Sequence, residues 1–396
     1  MYIRPLYQKV MERLSVSRTF MQVLAGPRQV GKTTLAHQIR DLLPYSSHYA
    51  SADSSSLRDA AWIEQQWEKG RQLANLPSNN LGALLILDEI QKIPFWPETV
   101  KKLWDEDTAS HINLKIMILG SSSLLIQSGL GESLSGRFEF IAISHWSFQE
   151  CREAFDVNLE EYIYFGGYPA AAILIKDEER WARYIIDSLI ETSISRDIML
   201  MTCIHKPALL RRVFELGCLA TGRVVSYQNM LGQLQDAGNA ATLAHYLELL
   251  SGAGLLSGIQ KLSLDPVRQK ASSPKLQVLN TALATAPSHL FFESTKRNRE
   301  QWQKLIECAI GAYLINSTFG TKTEIFYWKN SNKFVDFIIR KDKKLIVIDV
   351  NGTQKGKNIR GLDAFIQKHG PTKTLLVGEG GISVEEFLLT PLEEWM

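Results

Sequence analysis

Residues 26–33 read Gly-Pro-Arg-Gln-Val-Gly-Lys-Thr, which satisfies the spacing G-x-x-x-x-G-K-[ST]. This octet constrains the fold more than any other stretch of the chain. An apolar run at 20–25 leads into it and a helical pattern at 33–43 leaves it, so the loop joins a strand to a helix. Glycine tolerates the curled backbone that turns successive N–H groups inward, and the following helix N-terminus adds partial positive charge. Such a hollow suits the phosphates of a nucleoside triphosphate. The expected phosphate-contacting set is Gly26, Pro27, Arg28, Gln29, Val30, Gly31, Lys32, Thr33 and Thr34. Lys32 is expected to reach the β- and γ-phosphates, and the Thr33 hydroxyl to ligate Mg2+.

A parallel α/β sheet carrying such a loop presents polar groups at the C-terminal ends of its strands. The run 83–87 is wholly apolar and ends in Asp88-Glu89. Asp88 is expected in the Mg2+ shell and Glu89 is expected to polarise the attacking water, because phosphoryl transfer needs mainly positioning and charge neutralisation. A second apolar run, 115–119, ends in Gly120-Ser121-Ser122-Ser123. Ser121 is a candidate donor to the γ-phosphate or the water, although serines at strand ends also serve as turn and cap residues. Arg137 precedes the run 138–143. It is a candidate γ-phosphate charge in its own chain or a neighbour's, with a solvated surface arginine as the alternative.

Composition sets the wider frame. Hydrophobic residues make up 45% and charged residues 22% of the 396, which excludes disordered and collagen-like chains and leaves room for two or three folding units. Net charge is 44 − 42 = +2, so no global basic field draws the chain to nucleic acid or to an acidic membrane. The apolar runs fall far short of the ~20 residues of a membrane span, and the N-terminus lacks a signal-peptide core. Cys151, Cys203, Cys218 and Cys308 show no paired spacing. Reduced thiols in a cytoplasmic protein are therefore expected.

Along the chain, strand candidates at 20–25, 47–50, 83–87, 115–119 and 138–143 alternate with helices, notably 33–43 and 97–106. From 147 the pattern turns helical: one long helix over 177–198, then helices at 207–220, 227–236 and 240–252, then an apolar run at 255–262. Three helices followed by a strand suggest a winged-helix module, and 265–274 reads as a linker or wing tip. A compact α/β pattern comes next, with a helix at 301–316, strands at 324–328, 335–340 and 345–350, a helix at 358–368 and a strand at 373–377. The expected divisions are 1–146, 147–264 and 265–396.

Several motifs together carry a resemblance. They are the 26–34 loop, Leu-Asp-Glu-Ile-Gln at 87–91, Leu-Gly-Ser-Ser at 119–122, Leu-Ser-Gly-Arg at 134–137, Phe-Gly-Gly-Tyr-Pro at 165–169, Arg-Asp-Ile at 196–198 and Phe-Tyr-Trp at 326–328. The chain resembles, along nearly its whole length, a large prokaryotic family of AAA+-type P-loop ATPases whose C-terminal half is a domain of unknown function resembling a restriction-endonuclease, PD-(D/E)xK, fold. The resemblance implies ATP and Mg2+ as ligands, and a sheet in which one strand separates the loop-bearing strand from the Asp88 strand. In the nuclease-like part Asp336 matches the first acid and Asp349 the second, with Glu307 on the preceding helix as a third ligand of a second metal site. The lysine position two residues after Asp349 is Asn351, an amide that carries no charge to offset a phosphoryl anion. Lys355 and Lys357 come later in the chain without the required spacing.

In the winged-helix region the third helix, 239–250, contains no Lys or Arg, and Asn239 reads as its N-cap. A packing or protein-docking role is expected there, with Arg211, Arg212 and Arg223 as the residues left for phosphate contacts. The expected activity is Mg2+-dependent ATP binding and hydrolysis, with nucleotide state controlling a partner protein or nucleic acid. Charge does not favour nucleic acid, a homo-oligomer is among the expected states, and a membrane is not. The alternatives are an ATP-regulated metal-dependent nuclease and a non-catalytic ATP-dependent switch or adaptor.

Overall fold

The computed structural model describes residues 2–53, 59–77, 80–121, 131, 133–198, 204, 206–234, 238–263, 265, 269, 272–351 and 355–396, without the side chains of 196, 197, 351 and 355–360. Ser122, Cys203, half of the 265–274 connector and the side chains of Asp197, Asn351, Lys355 and Lys357 lie outside the described residues. The chain forms two compact units, Met1–Ile143 and Ser144–Met396.

The first unit is a five-stranded parallel sheet in the order β2-β3-β4-β1-β5. Its strands are β1 (Met21–Ala25), β2 (Ser47–Ser51), β3 (Ala83–Asp88), β4 (Leu114–Gly120) and β5 (Phe138–Ala142). Its helices are α1 (Leu6–Ser15), α2 (Lys32–Leu42), α3 (Ala60–Ala74) and α4 (Trp96–Ala109). Strands β1 and β3 are buried at every position because helices cover both faces, and parallel strands then read as unbroken apolar runs. Burying each such Leu or Ile side chain contributes about 1.5–3 kcal/mol. Pro97 sits in the first turn of α4, where its missing N–H costs nothing. Asp107 ties α4 to α3, accepting from Trp67 Nε1 at 2.7 Å and Arg71 Nε at 2.6 Å. Strand β4 lies between β1 and β3, as the resemblance implies. The parallel direction therefore brings the C-terminal ends of β1, β3 and β4 to one edge.

In the second unit, helical turns run from 178 to 198, of π type over Tyr184–Ile190 and Ser193–Ile198. Helices Pro207–Leu219, Tyr227–Gln233 and Ala240–Gly252 come next. Asn239 caps the last of these, its side chain accepting from Thr242 N at 2.9 Å. A six-stranded mixed sheet completes the unit in the order β11-β10-β9-β8-β6-β7. It comprises β6 (Leu256–Lys261), β7 (Lys275–Val278), β8 (Glu324–Asn330), β9 (Lys333–Lys341), β10 (Lys344–Asn351) and β11 (Lys373–Gly378). The expected boundary at 264/265 falls between β6 and β7, which pair antiparallel, while β6 also pairs parallel with β8. Helix Arg299–Thr318 lies between β7 and β8 in the chain, its N-terminus capped by Asn298.

Candidate nucleotide site

The loop leaves β1 at Gly26. A Cβ there would stand 1.8 Å from the carbonyl oxygen of Ile143, so the close approach of the chain beyond β5 requires glycine at this position. Gln29 and Gly31 take left-handed backbone angles, φ 59° and 88°, which bend the loop into the start of α2. No side chain caps α2, so its first-turn N–H groups face the hollow of the loop. Lys32 is 7% exposed, and its ammonium donates to the carbonyls of Gly26 at 2.9 Å and Pro27 at 2.5 Å. The charge thus lies within the curl of the loop.

Strand β3 delivers Asp88 opposite Thr33. The Thr33 hydroxyl donates to Asp88 Oδ2 at 2.8 Å, and the Tyr49 hydroxyl, from β2, donates to the same oxygen at 2.8 Å. Burial, and then the Asp88 carboxylate beside it, push the Tyr49 phenol pKa up, so the group stays a donor. Asp88 Oδ1 is buried and has no hydrogen-bond partner among the described residues. A buried carboxylate oxygen left bare beside a threonine hydroxyl is a donor set that fits a hard divalent cation.

Glu89 comes next in a left-handed conformation, φ 56°, its N–H bonded to the Leu119 carbonyl at 3.0 Å. This strained geometry swings the carboxylate to the tip of β4. There Oε2 accepts from Gln91 Nε2 at 2.8 Å and Ser121 Oγ at 3.1 Å, and Lys92 Nζ stands 3.5 Å away. Lys92 is also paired with Asp53. Lys32, Thr33, Asp88, Glu89 and Ser121 therefore gather at the C-terminal edge of the sheet.

Arg137 does not join them. Its carbonyl accepts from Met21 N at 2.8 Å, which fixes it at the N-terminal edge, a full strand from the loop. Five strand residues span about 17 Å. Its guanidinium forms a two-pronged pair with Asp105, at 2.8 and 3.0 Å. Within its own chain Arg137 is therefore placed apart from Lys32, Thr33, Asp88 and Glu89.

Asp336, Asp349 and Glu307, the candidate acids of a second metal site, lie near a buried lysine. Among the described residues no group of three or more His, Cys, Asp or Glu side chains is placed to hold a metal ion. The physical reason is Lys275 of β7, wholly buried, whose ammonium is 2.7 Å from Glu307 Oε1, 3.2 Å from the Asp336 carbonyl oxygen and 3.8 Å from Asp336 Oδ1. A resident ammonium takes the position a cation would need between Glu307 and Asp336. Asp336 Oδ2 accepts from Val350 N at 3.0 Å, and Asp349 lies beside it on β10. Burial raises the pKa of both aspartates, with neighbouring Glu307 adding to the rise. Arg211, expected to be open to phosphate, is paired through both guanidinium nitrogens with Glu191.

Tyr49, Gln91, Lys92 and Lys275 are site residues that local sequence patterns do not single out. Gln91 is carried in the Leu-Asp-Glu-Ile-Gln motif, but its contact with Glu89 arises from the turn after β3.

Residues 18–152 match the model of an AAA domain family. Residues 156–294 match a domain of unknown function (DUF8612). An uncharacterized protein of Haemophilus influenzae is 23% identical over 349 residues, covering 84% of this chain and 82% of its own. An uncharacterized protein of Mycobacterium tuberculosis is also 23% identical, over 80% of this chain and 66% of its own length. Among solved structures, the chain is similar to the Walker-type ATPase of Pyrococcus abyssi, with a TM-score of 0.44 and 15% identity, over 72% of this chain and 95% of that one. It is also similar to the RuvB Holliday junction branch migration motor of Thermotoga maritima, with a TM-score of 0.33 and 21% identity, over 63% and 89%. The first unit is an α/β parallel-sheet domain, and most of it matches the AAA domain family model. Among the described residues no helix is long and apolar enough to cross a membrane.

Proposed function

We propose that the first unit binds ATP with Mg2+ and hydrolyses it. The observation that carries this is the Thr33–Asp88 contact at the start of α2, with Asp88 Oδ1 left bare and buried beside it. Thr33 and Asp88 would hold Mg2+, directly or through water, and the ion would supply charge neutralisation at the β- and γ-phosphates. The loop residues Arg28, Gln29, Val30, Gly31 and Thr34 would surround the phosphates with backbone N–H groups, while Gly26 and Pro27, the latter without an N–H to give, shape the curl of the loop. Lys32 exchanges its carbonyl partners for phosphate oxygens. Glu89 accepts a hydrogen bond from the attacking water, and Ser121, already bonded to Glu89, orients the pair. Calorimetry tests this directly: wild type should bind ATP and Lys32→Ala should not. Equal affinity in the two would sink the assignment.

A second reading draws on the state of Glu89. Its carboxylate is already occupied by Gln91 and Ser121, a condition that suits slow turnover and a protein working as an ATP-dependent switch. In either case nucleotide state would control a partner, most naturally a protein, since the Ala240–Gly252 helix has no basic residue to place on nucleic acid. The three-part division at 146/147 and 264/265, with a winged-helix middle and a nuclease-like C-terminal fold, belongs to the same proposal. So does a cytoplasmic setting, supported by the buried, reduced thiols of Cys151, Cys218 and Cys308.

A further inference from the structure

Among the described residues Asp88 Oδ2 carries two donors and Oδ1 none. One donor, Thr33, comes with the phosphate loop. The other, Tyr49, comes from β2, the edge strand paired with β3, where Ser51 rather than Tyr49 stands opposite Asp88 in the register. Tyr49 thus reaches forward two residues along the sheet to meet the carboxylate. Its ring rests against His37 of α2, one turn beyond Thr33, with ring centroids 4.6 Å apart. One side chain therefore bridges the helix that carries Thr33 and the strand that carries Asp88.

On the footing of the nucleotide-site proposal, we infer that Tyr49 is a positioning residue for the divalent cation, holding Asp88 so that Oδ1 alone is presented to it. Rotating the carboxylate would break two hydrogen bonds at once. Because Thr33 gives its proton to Oδ2, its oxygen keeps lone pairs for the ion, and the hydroxyl serves both partners without a proton being moved. With Thr33 as the sole donor, either carboxylate oxygen could take the bond, and the acceptor facing the ion would no longer be fixed. Partners that orient a metal ligand typically change metal affinity by about 10–100-fold when removed.

The test is Tyr49→Phe, which keeps the ring against His37 and deletes only the hydroxyl. Binding of a non-hydrolysable ATP analogue is titrated with Mg2+, and again with Mn2+ followed by electron paramagnetic resonance. The expected result is a rise of ~10-fold in the Mg2+ and Mn2+ concentrations at half-saturation, with unchanged analogue affinity in EDTA. Unchanged cation midpoints, whatever the melting temperature does, would show that the hydroxyl serves packing only and overturn the inference. Should Tyr49→Phe not fold, Tyr49→His, which keeps a ring donor of shorter reach, is titrated in its place and must also raise the cation midpoints. Lys32→Ala separates the two levels. Loss of nucleotide binding there with unchanged cation midpoints in Tyr49→Phe refutes only the role of Tyr49, whereas wild-type binding by Lys32→Ala refutes the nucleotide site and this inference together.

Discussion

Replacing Lys275 by methionine removes an ammonium from the interior of the second unit while keeping most of its aliphatic stem. The side chain is wholly buried and its charge is 2.7 Å from Glu307 and 3.8 Å from Asp336. Breaking a buried pair from one side costs about 3–5 kcal/mol, because the remaining charge has lost its partner. Glu307 is 26% exposed and can rehydrate in part, which places this case near the lower end, ~3 kcal/mol. For a unit of this size each kcal/mol moves the melting temperature by about 2–4 °C, so a fall of roughly 6–12 °C is expected at pH 7. The assay is thermal and urea unfolding of the full chain followed by circular dichroism. Adding Glu307→Gln to Lys275→Met should recover part of the loss, because it removes the stranded charge. A single variant that melts within about 2 °C of wild type at pH 7 would refute the view of Lys275 as the counterion of this cluster.

Asp336 carries a pKa raised by burial to about 8, so the folded chain holds a proton that the unfolded chain releases near pH 4. More protons are bound in the native state across that window, and stability should therefore fall as pH rises from about 4 to about 8. Asp336→Asn should flatten this dependence in urea midpoints taken at pH 5 and pH 8, and an unchanged slope would count against it. Arg137→Ala loses the exposed pair with Asp105 and an exposed bond to the Ser135 carbonyl, so it should cost about 1 kcal/mol and leave ATP affinity unchanged. Loss of turnover in that variant, restored by mixing with Lys32→Ala chains, would instead place Arg137 at a neighbouring subunit's site.

Much of the first unit was legible because its strands are buried on both faces. Runs such as Ala83–Asp88 then need no alternation to be recognised, and the octet at 26–33 fixes the loop and helix that leave β1. Helix α3 was expected only as an unbounded helical stretch between two strands. Its interior glycine, Gly70, packs closely on the sheet, where a Cβ would stand 3.1 Å from the Leu114 side chain, and packing of this kind is invisible before the sheet is assembled. The same distinction divides the candidate site. Thr33 and Asp88 belong to motifs whose chemistry implies their meeting, whereas Tyr49 meets Asp88 only through the order of the sheet, with β2 on the edge beside β3. Strand order also decides the fate of Arg137, which is adjacent to an apolar run in sequence but at the wrong end of the strand. Lys275 brings a cation to Glu307 and Asp336 from a strand some seventy positions before Asp349, where position 351 offers only an amide, and local spacing holds no trace of it.

Hydrolysis of ATP through Glu89 is tested by ATP turnover of wild type and Glu89→Gln measured side by side. The amide keeps the size of the side chain and can still meet Ser121, but it polarises water poorly. Wild type is expected to release phosphate in a Mg2+-dependent manner. Glu89→Gln is expected to bind ATP as tightly while its turnover falls by ~10²-fold or more. Turnover by Glu89→Gln at the wild-type rate would contradict the account.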